Sequence, residues 1–255
     1  MTQLGAQMFT VREFTKDTEG LLETFRKLRA IGYEAVQVSA IGAGIPIQDV
    51  AEGLEENGLT CAATHISFDD CKRDLDAVIA KHKAWGCEYV GVGMMPEEYR
   101  ADAAGLERFA REASDVADEL AKAGLKFVYH NHNFEFRKFD GKVGMDILFD
   151  NSSRNFQFEI DTFWVQKGGA DVRAWIDKVR GRMDVVHFKD MTLNDKAEQI
   201  MAEIGQGNLN WDGIIAGCRD IGVKWYLVEQ DDCHGRDPFE SLKMSYEYLT
   251  AKGIK

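Results

Sequence analysis

LKFVYHNHNFE, residues 125 to 135, decides how this chain is read. A short apolar run from Leu125 to Tyr129 stops abruptly at His130, Asn131 and His132, with Glu135 just beyond. In a β-strand alternate residues share a face, so His130 and His132 are expected to point the same way. Two imidazoles at a strand end with a carboxylate within reach can bind a metal or move protons. The same residues could simply cap a strand. The rest of the chain decides between these readings, because the pattern recurs.

Working outward, β-like runs lie near Leu4–Phe9, Ala35–Ser39, Leu59–His65, Tyr89–Met94, Leu125–His132, Phe156–Asp161, Asp184–Lys189 and Lys224–Glu229. Helical periodicity fills the segments Leu21–Ile31, Ile47–Asn57, Asp70–Trp85, Ala103–Ala123, Val172–Val179 and Phe239–Ala251, with shorter helices at Val143–Phe149 and Trp211–Asp220. Gly32, Gly58, Gly86, Gly124 and Gly222 each follow a helical run, where a left-handed residue closes off the last carbonyls. Asp237, Pro238 and Glu240 give the opposite signal, a helix start. Eight strands alternating with helices, one unit per roughly 30 residues, predict an α/β fold: a (β/α)8 TIM barrel occupying residues 1–255 as a single domain. An open doubly wound sheet would want a glycine fingerprint after the first strand, and MFTVREFTKD has none.

Net charge is −12, which opposes non-specific binding to nucleic acid or to an anionic membrane. No apolar run approaches the roughly 20 residues that a membrane span needs, and the N-terminus lacks a basic stretch followed by an apolar one. Five widely spaced cysteines without a CxxC argue against a disulfide framework and fit a reducing, cytoplasmic setting.

In a barrel the site forms at the C-terminal strand ends. Of six histidines, His65, His130, His132 and His187 fall at such ends and His234 follows the eighth strand; His82, on a helix, reads as solvated or partly packed. Acidic residues repeat the pattern: Glu159 and Asp161 in FQFEIDTFW, Glu229 and Asp231 in WYLVEQDD, with His187 and Lys189 in VVHFKD between them. An unpaired charge inside a barrel costs several kcal/mol, so these groups must pair, bind a metal or face a watery cleft. Carboxylates outnumber bases, which favours a shared divalent cation. Trp164 and Phe134 could wall a sugar ring or pack the barrel top. The Gly205–Asn208 loop reads as a turn, or as a source of backbone donors for an anion.

The strand ends YHNHNFEF, FEIDTFW, VVHFKD and LVEQD, with THIS after strand three and GQGNLNW before strand eight, resemble the sugar phosphate isomerase/epimerase group of xylose isomerase-like barrels over essentially the whole chain. The resemblance implies one divalent ion, manganese first, with cobalt, magnesium or zinc as substitutes. It is held through two acids, a histidine and a further acid, in enzymes that isomerise, epimerise or dehydrate sugars, inososes and keto-sugars. Asp161, His187 and Glu229 match three of these positions. Where many relatives have Glu-Asn-His this chain has His130-Asn131-His132, so the fourth ligand is assigned to Glu135, with His130 as the alternative. Relatives that cleave DNA use extra histidines, but Phe163 and Trp164 stand after Asp161, so no nucleic-acid partner is expected.

The chemistry implied is proton transfer next to a carbonyl of a carbohydrate through a metal-stabilised enediolate. Glu229, or one of His130 and His132, would take the proton, and Lys189 would stabilise the oxyanion. His65, Glu159, Trp164, His234 and Arg236 would contact substrate. The alternatives are a lyase or dehydratase acting by β-elimination on an inosose or 3-keto-glycoside, and a non-catalytic carbohydrate-binding barrel. Barrels of this group often associate, so a homo-oligomer is compatible.

Overall fold

The apolar runs become strands and the glycine-terminated amphipathic runs become helices. In the computed structural model, which describes residues 3–254, eight parallel strands form one sheet. They are β1 (Gln3–Gln7), β2 (Ala35–Val38), β3 (Thr60–Thr64), β4 (Tyr89–Val92), β5 (Lys126–His130), β6 (Phe156–Asp161), β7 (Val185–Phe188) and β8 (Trp225–Val228). Their order, β3-β2-β1-β8-β7-β6-β5-β4, leaves β3 and β4 at the two ends. A single parallel bridge, Ile66 to Val92, closes that gap into a nearly complete barrel.

Strand alternation divides the buried residues between two layers. Val36, Val38, Phe127, Phe158 and Phe188 face outward into the main core beneath the helices. Ala35, Ala63, Tyr89, Val128, Val185 and Leu227 form a separate cluster on the inner face. Two residues further along the same strands, that inner face carries Gln37, His130, His187 and Glu229, so the lumen is apolar below and polar at its C-terminal mouth.

The structure departs from the sequence reading at several ends. β1 stops at Gln7, where a 3-10 segment, Met8–Phe14, begins. β5 stops at His130, so His132 lies beyond the strand rather than on its alternating face. The helix expected over Asp70–Trp85 is two, Phe68–Arg73 and Leu75–Ala84, because Asp74 leaves helical geometry (φ −154°) and its side chain accepts from Ala77 N to start the second. His82, on that second helix, is not solvated: it is buried, 2.7 Å from Thr64 Oγ1 and 2.7 Å from the Val78 carbonyl, and burial pushes its pKa down to about 4. A short helix, Thr162–Lys167, was not anticipated. Gly32, Gly58, Gly86, Gly124 and Gly222 all have positive φ, as expected of helix-ending glycines.

The Gly205–Asn208 loop does supply backbone donors to an anion, and the anion is the protein's own Asp190. Its buried carboxylate accepts from Gly205 N (2.9 Å), Gly207 N (3.1 Å), Leu209 N (3.3 Å) and Trp211 Nε1 (2.6 Å). Gly207 must be glycine, since a Cβ there would meet Asp190 Oδ1 at 2.4 Å. This carboxylate pins the loop between β7 and β8 to the end of β7. Asp190→Ala strands these donors at roughly 1–3 kcal/mol each. It should lower the urea midpoint by clearly more than Asp190→Asn, which keeps one acceptor; equal midpoints would remove Asp190 from this role.

Candidate metal centre and active site

Four side chains converge at the mouth of the lumen: His130 from β5, Asp161 from β6, His187 from β7, and Glu229 just past β8. All are buried, and each offers a ligand atom within 4.8 Å of every other. His130 Nε2 lies 3.1 Å from Asp161 Oδ2 and 3.9 Å from Glu229 Oε2. His187 Nδ1 lies 3.1 Å from Glu229 Oε2 and 3.9 Å from Asp161 Oδ2. Asp161 divides its labour. Oδ1 caps the Thr162–Lys167 helix through Trp164 N (2.8 Å), which leaves Oδ2 for the cluster.

The groups behind the imidazoles show what this cluster suits. His130 Nδ1 is 3.1 Å from the Gly93 carbonyl, which can only accept, so that nitrogen carries a proton and Nε2 presents its lone pair to Asp161. His187 Nε2 is 2.6 Å from Gln37 Oε1, which likewise only accepts, leaving Nδ1 to face Glu229. Two nitrogen lone pairs opposed to carboxylate oxygens repel unless a proton or a cation lies between them. Two imidazoles and two carboxylates with carbonyl-type partners behind the rings are a donor set that suits zinc, manganese or cobalt, so the residues fit a divalent ion.

Charge balance points the same way. Lys189 Nζ, buried, lies 2.7 Å from Glu229 Oε2, 3.2 Å from Asp161 Oδ2 and 2.9 Å from Asp231 Oδ1. One ammonium serves three carboxylates, with Glu159 a fourth nearby. Burial alone would lower the pKa of His187, but Glu159 and Glu229 outweigh it and hold it up to about 10. Burial would raise Glu229 and Asp161; Lys189 foremost, with the imidazoles, keeps both below their ordinary values. Burial and then its neighbour His187 push His130 down. Asp231, raised to about 6 by burial and by Glu229, is suited to giving or taking a proton near neutrality.

His130 and Glu229 of the cluster line a cavity of about 560 Å³, and the fully buried Asp161 and His187 do not reach it. His65, His130, His132, Lys189, Glu229 and Asp231 supply its polar surface, and Phe9, Ile66, Met94 and Trp164 an apolar wall. His132 Nδ1 and Trp164 Nε1 are buried and without a hydrogen-bond partner among the described residues.

Several expectations meet a different geometry. Glu135 is not one of the converging residues: its Oε1 accepts from Tyr129 Oη (2.5 Å) and its Oε2 from His132 N (2.9 Å), and burial raises its pKa to about 7. His130 occupies the position given to it. Glu159 is fully buried and does not line the cavity, so it sits behind the site rather than against a substrate. His234 and Arg236 also lie off the cavity, paired with Asp232 (3.5 Å) and Glu203 (3.0 Å). His65 and Trp164 do line it. Gln37 and Gln7 escaped the sequence reading, because an amide within an apolar strand carries no signal of its own.

Residues 25–251 match a family model described as a xylose isomerase-like TIM barrel. The chain belongs to that family. No curated protein matches it. Among solved structures this xylose isomerase-like barrel is similar to a sugar phosphate isomerase/epimerase from Parabacteroides distasonis, with 23% identity, TM-score 0.82 and 100% of each chain covered. It is also similar to an L-ribulose 3-epimerase (18%, 0.76, covering 98% of this chain and 94% of that one). A third is an IolI protein with a bound zinc atom (13%, 0.70, 98% and 97%). At these identities the likeness establishes the fold. No helix among the described residues is long and apolar enough to cross a membrane.

Metal-free His187 holds its extra proton up to about pH 10, and a ligand must be neutral. Affinity for Zn2+ should therefore rise about tenfold per pH unit between pH 6 and 9, with one proton released per ion. Calorimetry in buffers of different ionisation enthalpy measures that proton directly; pH-independent affinity would place the ion away from His187.

Proposed function

We propose that this barrel is a divalent-metal-dependent isomerase or epimerase acting on a sugar, keto-sugar or inosose by proton transfer at a carbon next to a carbonyl. The observation that carries this reading is the convergence of two imidazoles and two carboxylates, with His130 and Glu229 on the cavity wall beside Lys189 and Asp231. A bound divalent ion would supply Lewis-acid polarisation of a substrate carbonyl or hydroxyl oxygen. His130, Asp161, His187 and Glu229 would hold it. Glu229, at the cavity surface, takes the proton from carbon. Lys189 places its ammonium where negative charge develops on oxygen, and Asp231, bonded to it, exchanges protons near neutral pH. His132 and Trp164 line the cavity, and His132 Nδ1 and Trp164 Nε1 have no hydrogen-bond partner among the described residues. The similarity to an L-ribulose 3-epimerase and to a zinc-binding relative supports this reading.

One observation favours β-elimination as the second reading. β5 supplies an imidazole to the cluster, not a carboxylate that could serve as another base. Asp231, held up to about 6 and three strands from β5 around the mouth, could then protonate a leaving group, whereas burial, then His130 and Lys189, push His132 down to about 2. Keto-sugars incubated in D2O with Mn2+ separate the two: an isomeric product carrying one carbon-bound deuteron marks isomerase or epimerase chemistry, and loss of water or of an aglycone marks a lyase.

Plasma mass spectrometry should find about one divalent ion per chain, lost in the Asp161→Ala/His187→Ala variant; no ion in either would remove the metal centre. Glu229→Gln should lower turnover by about 10²–10⁴-fold with the circular dichroism spectrum unchanged. Full activity in that variant would take the proton-transfer role from Glu229.

A further inference from the structure

Two candidate ligand sets overlap at this mouth and share one residue. Besides His130, Asp161, His187 and Glu229, the atoms of His65, Glu159 and His187 also lie within coordinating distance of one another. His187 cannot serve both through one nitrogen: Nδ1 faces the first set and Nε2 the second. What decides between them is the hydrogen-bond order behind the rings.

Gln37 is the hub of that order. Its Nε2 lies 3.0 Å from Glu159 Oε1 and 3.3 Å from the Thr64 carbonyl, two groups that only accept, so the amide has one orientation. Its Oε1 therefore faces His187 Nε2 at 2.6 Å and requires a proton on that nitrogen. The far side of Glu159 is ordered from β1. Phe9 N donates to Gln7 Oε1 (2.9 Å), Gln7 Nε2 donates to His65 Nδ1 (3.2 Å), and His65 Nε2 is left to donate to Glu159 Oε2 (2.5 Å). Every nitrogen facing Glu159 thus carries a proton directed at an acceptor, and no lone pair remains there for an ion. In the first set, His130 Nε2 and His187 Nδ1, the nitrogens not committed to the groups behind the rings, face carboxylate oxygens.

The backbone is shaped for this hub. The β2–β3 register slips between Val36 and Gln37, from Val36–Cys61 to Gln37–Ala63, a bulge of the kind that re-aims side chains beside functional sites. On and just after β4, Gly91 and Gly93 make room for the His65 ring: a Cβ at Gly93 would stand 2.7 Å from His65 Nδ1.

We infer that Gln37 is the positioning residue of the metal centre, turning His187 Nδ1 toward Asp161 and Glu229 and so assigning a single ion to the His130, Asp161, His187 and Glu229 set. Glu159, His65 and Gln7 form the support behind it and hold no second ion. This rests on the metal-centre reading above, and the two can fail separately.

The test uses the full chain and Zn2+ alone. Calorimetric titration of wild type should give one ion per chain, and Gln37→Met should bind Zn2+ about 10–100-fold more weakly while still melting cooperatively without metal. Affinity within twofold of wild type in Gln37→Met would overturn the inference. Should that variant not fold, long-range 15N NMR of zinc-loaded wild type still decides: Nδ1 of His187 metal-bound with Nε2 protonated supports it, and attachment through Nε2, or a stoichiometry of two, overturns it. If wild type and Asp161→Ala bind Zn2+ alike, the metal-centre reading itself has failed.

Discussion

The barrel's mouth is organised by a shortage of positive charge. The buried Glu159, Asp161 and Glu229 and the half-buried Asp231 crowd one space, and Lys189 alone is a permanent cation among them. In such surroundings like charges a few ångströms apart repel strongly, and removing one partner of a buried pair leaves the other uncompensated. The arrangement persists because each carboxylate has an assigned donor: Gln37 and His65 for Glu159, Trp164 N for Asp161, Lys189 for Glu229 and Asp231. The donor set that a divalent ion would need is the set whose ring nitrogens the protein leaves facing carboxylates.

The fold serves this shortage by alternation. A strand that is outward-apolar and inward-polar at its C-terminal end delivers ionisable groups to the same ring, and four strands from β5 to β8 do so consecutively. The opposite face of that ring is made by small residues and amides: Gly91 and Gly93 on and after β4, Gln37 on β2, Gln7 on β1. One side supplies charge, and the other supplies room and orientation.

The sequence showed the first side clearly and the second hardly at all. Strand-end histidines and acids stand out because ionisable groups inside apolar runs demand an explanation, and the eightfold alternation with helices placed Asp161, His187 and Glu229 on one rim. Glu135 and His130 could not be separated that way. They lie five residues apart across a strand end, and the outcome depended on Tyr129, whose hydroxyl captures Glu135, and on the Gly93 carbonyl, which orients His130. Asp190 looked like any polar residue of a strand end until its backbone partners, 15 to 19 residues later, closed around it. Long-range hydrogen bonding has no local signature. The break at Asp74 was legible in principle, as an aspartate before a helical run, but an uninterrupted periodicity concealed it.

The seam between β3 and β4 gives this cylinder uneven stiffness. Elsewhere adjacent strands are laced by ladders of two or more residue pairs, whereas these two are pinned at one point, Ile66 against Val92. The residues that flank the pin, His65, Ile66, Gly93 and Met94, are also cavity wall. Lateral strain from a bulky occupant therefore falls on the join that yields most easily. The four strands bearing the charged ring lie on the laced side and keep their spacing. Tolerance for shape and rigidity of chemistry are thus allotted to different arcs of one circumference.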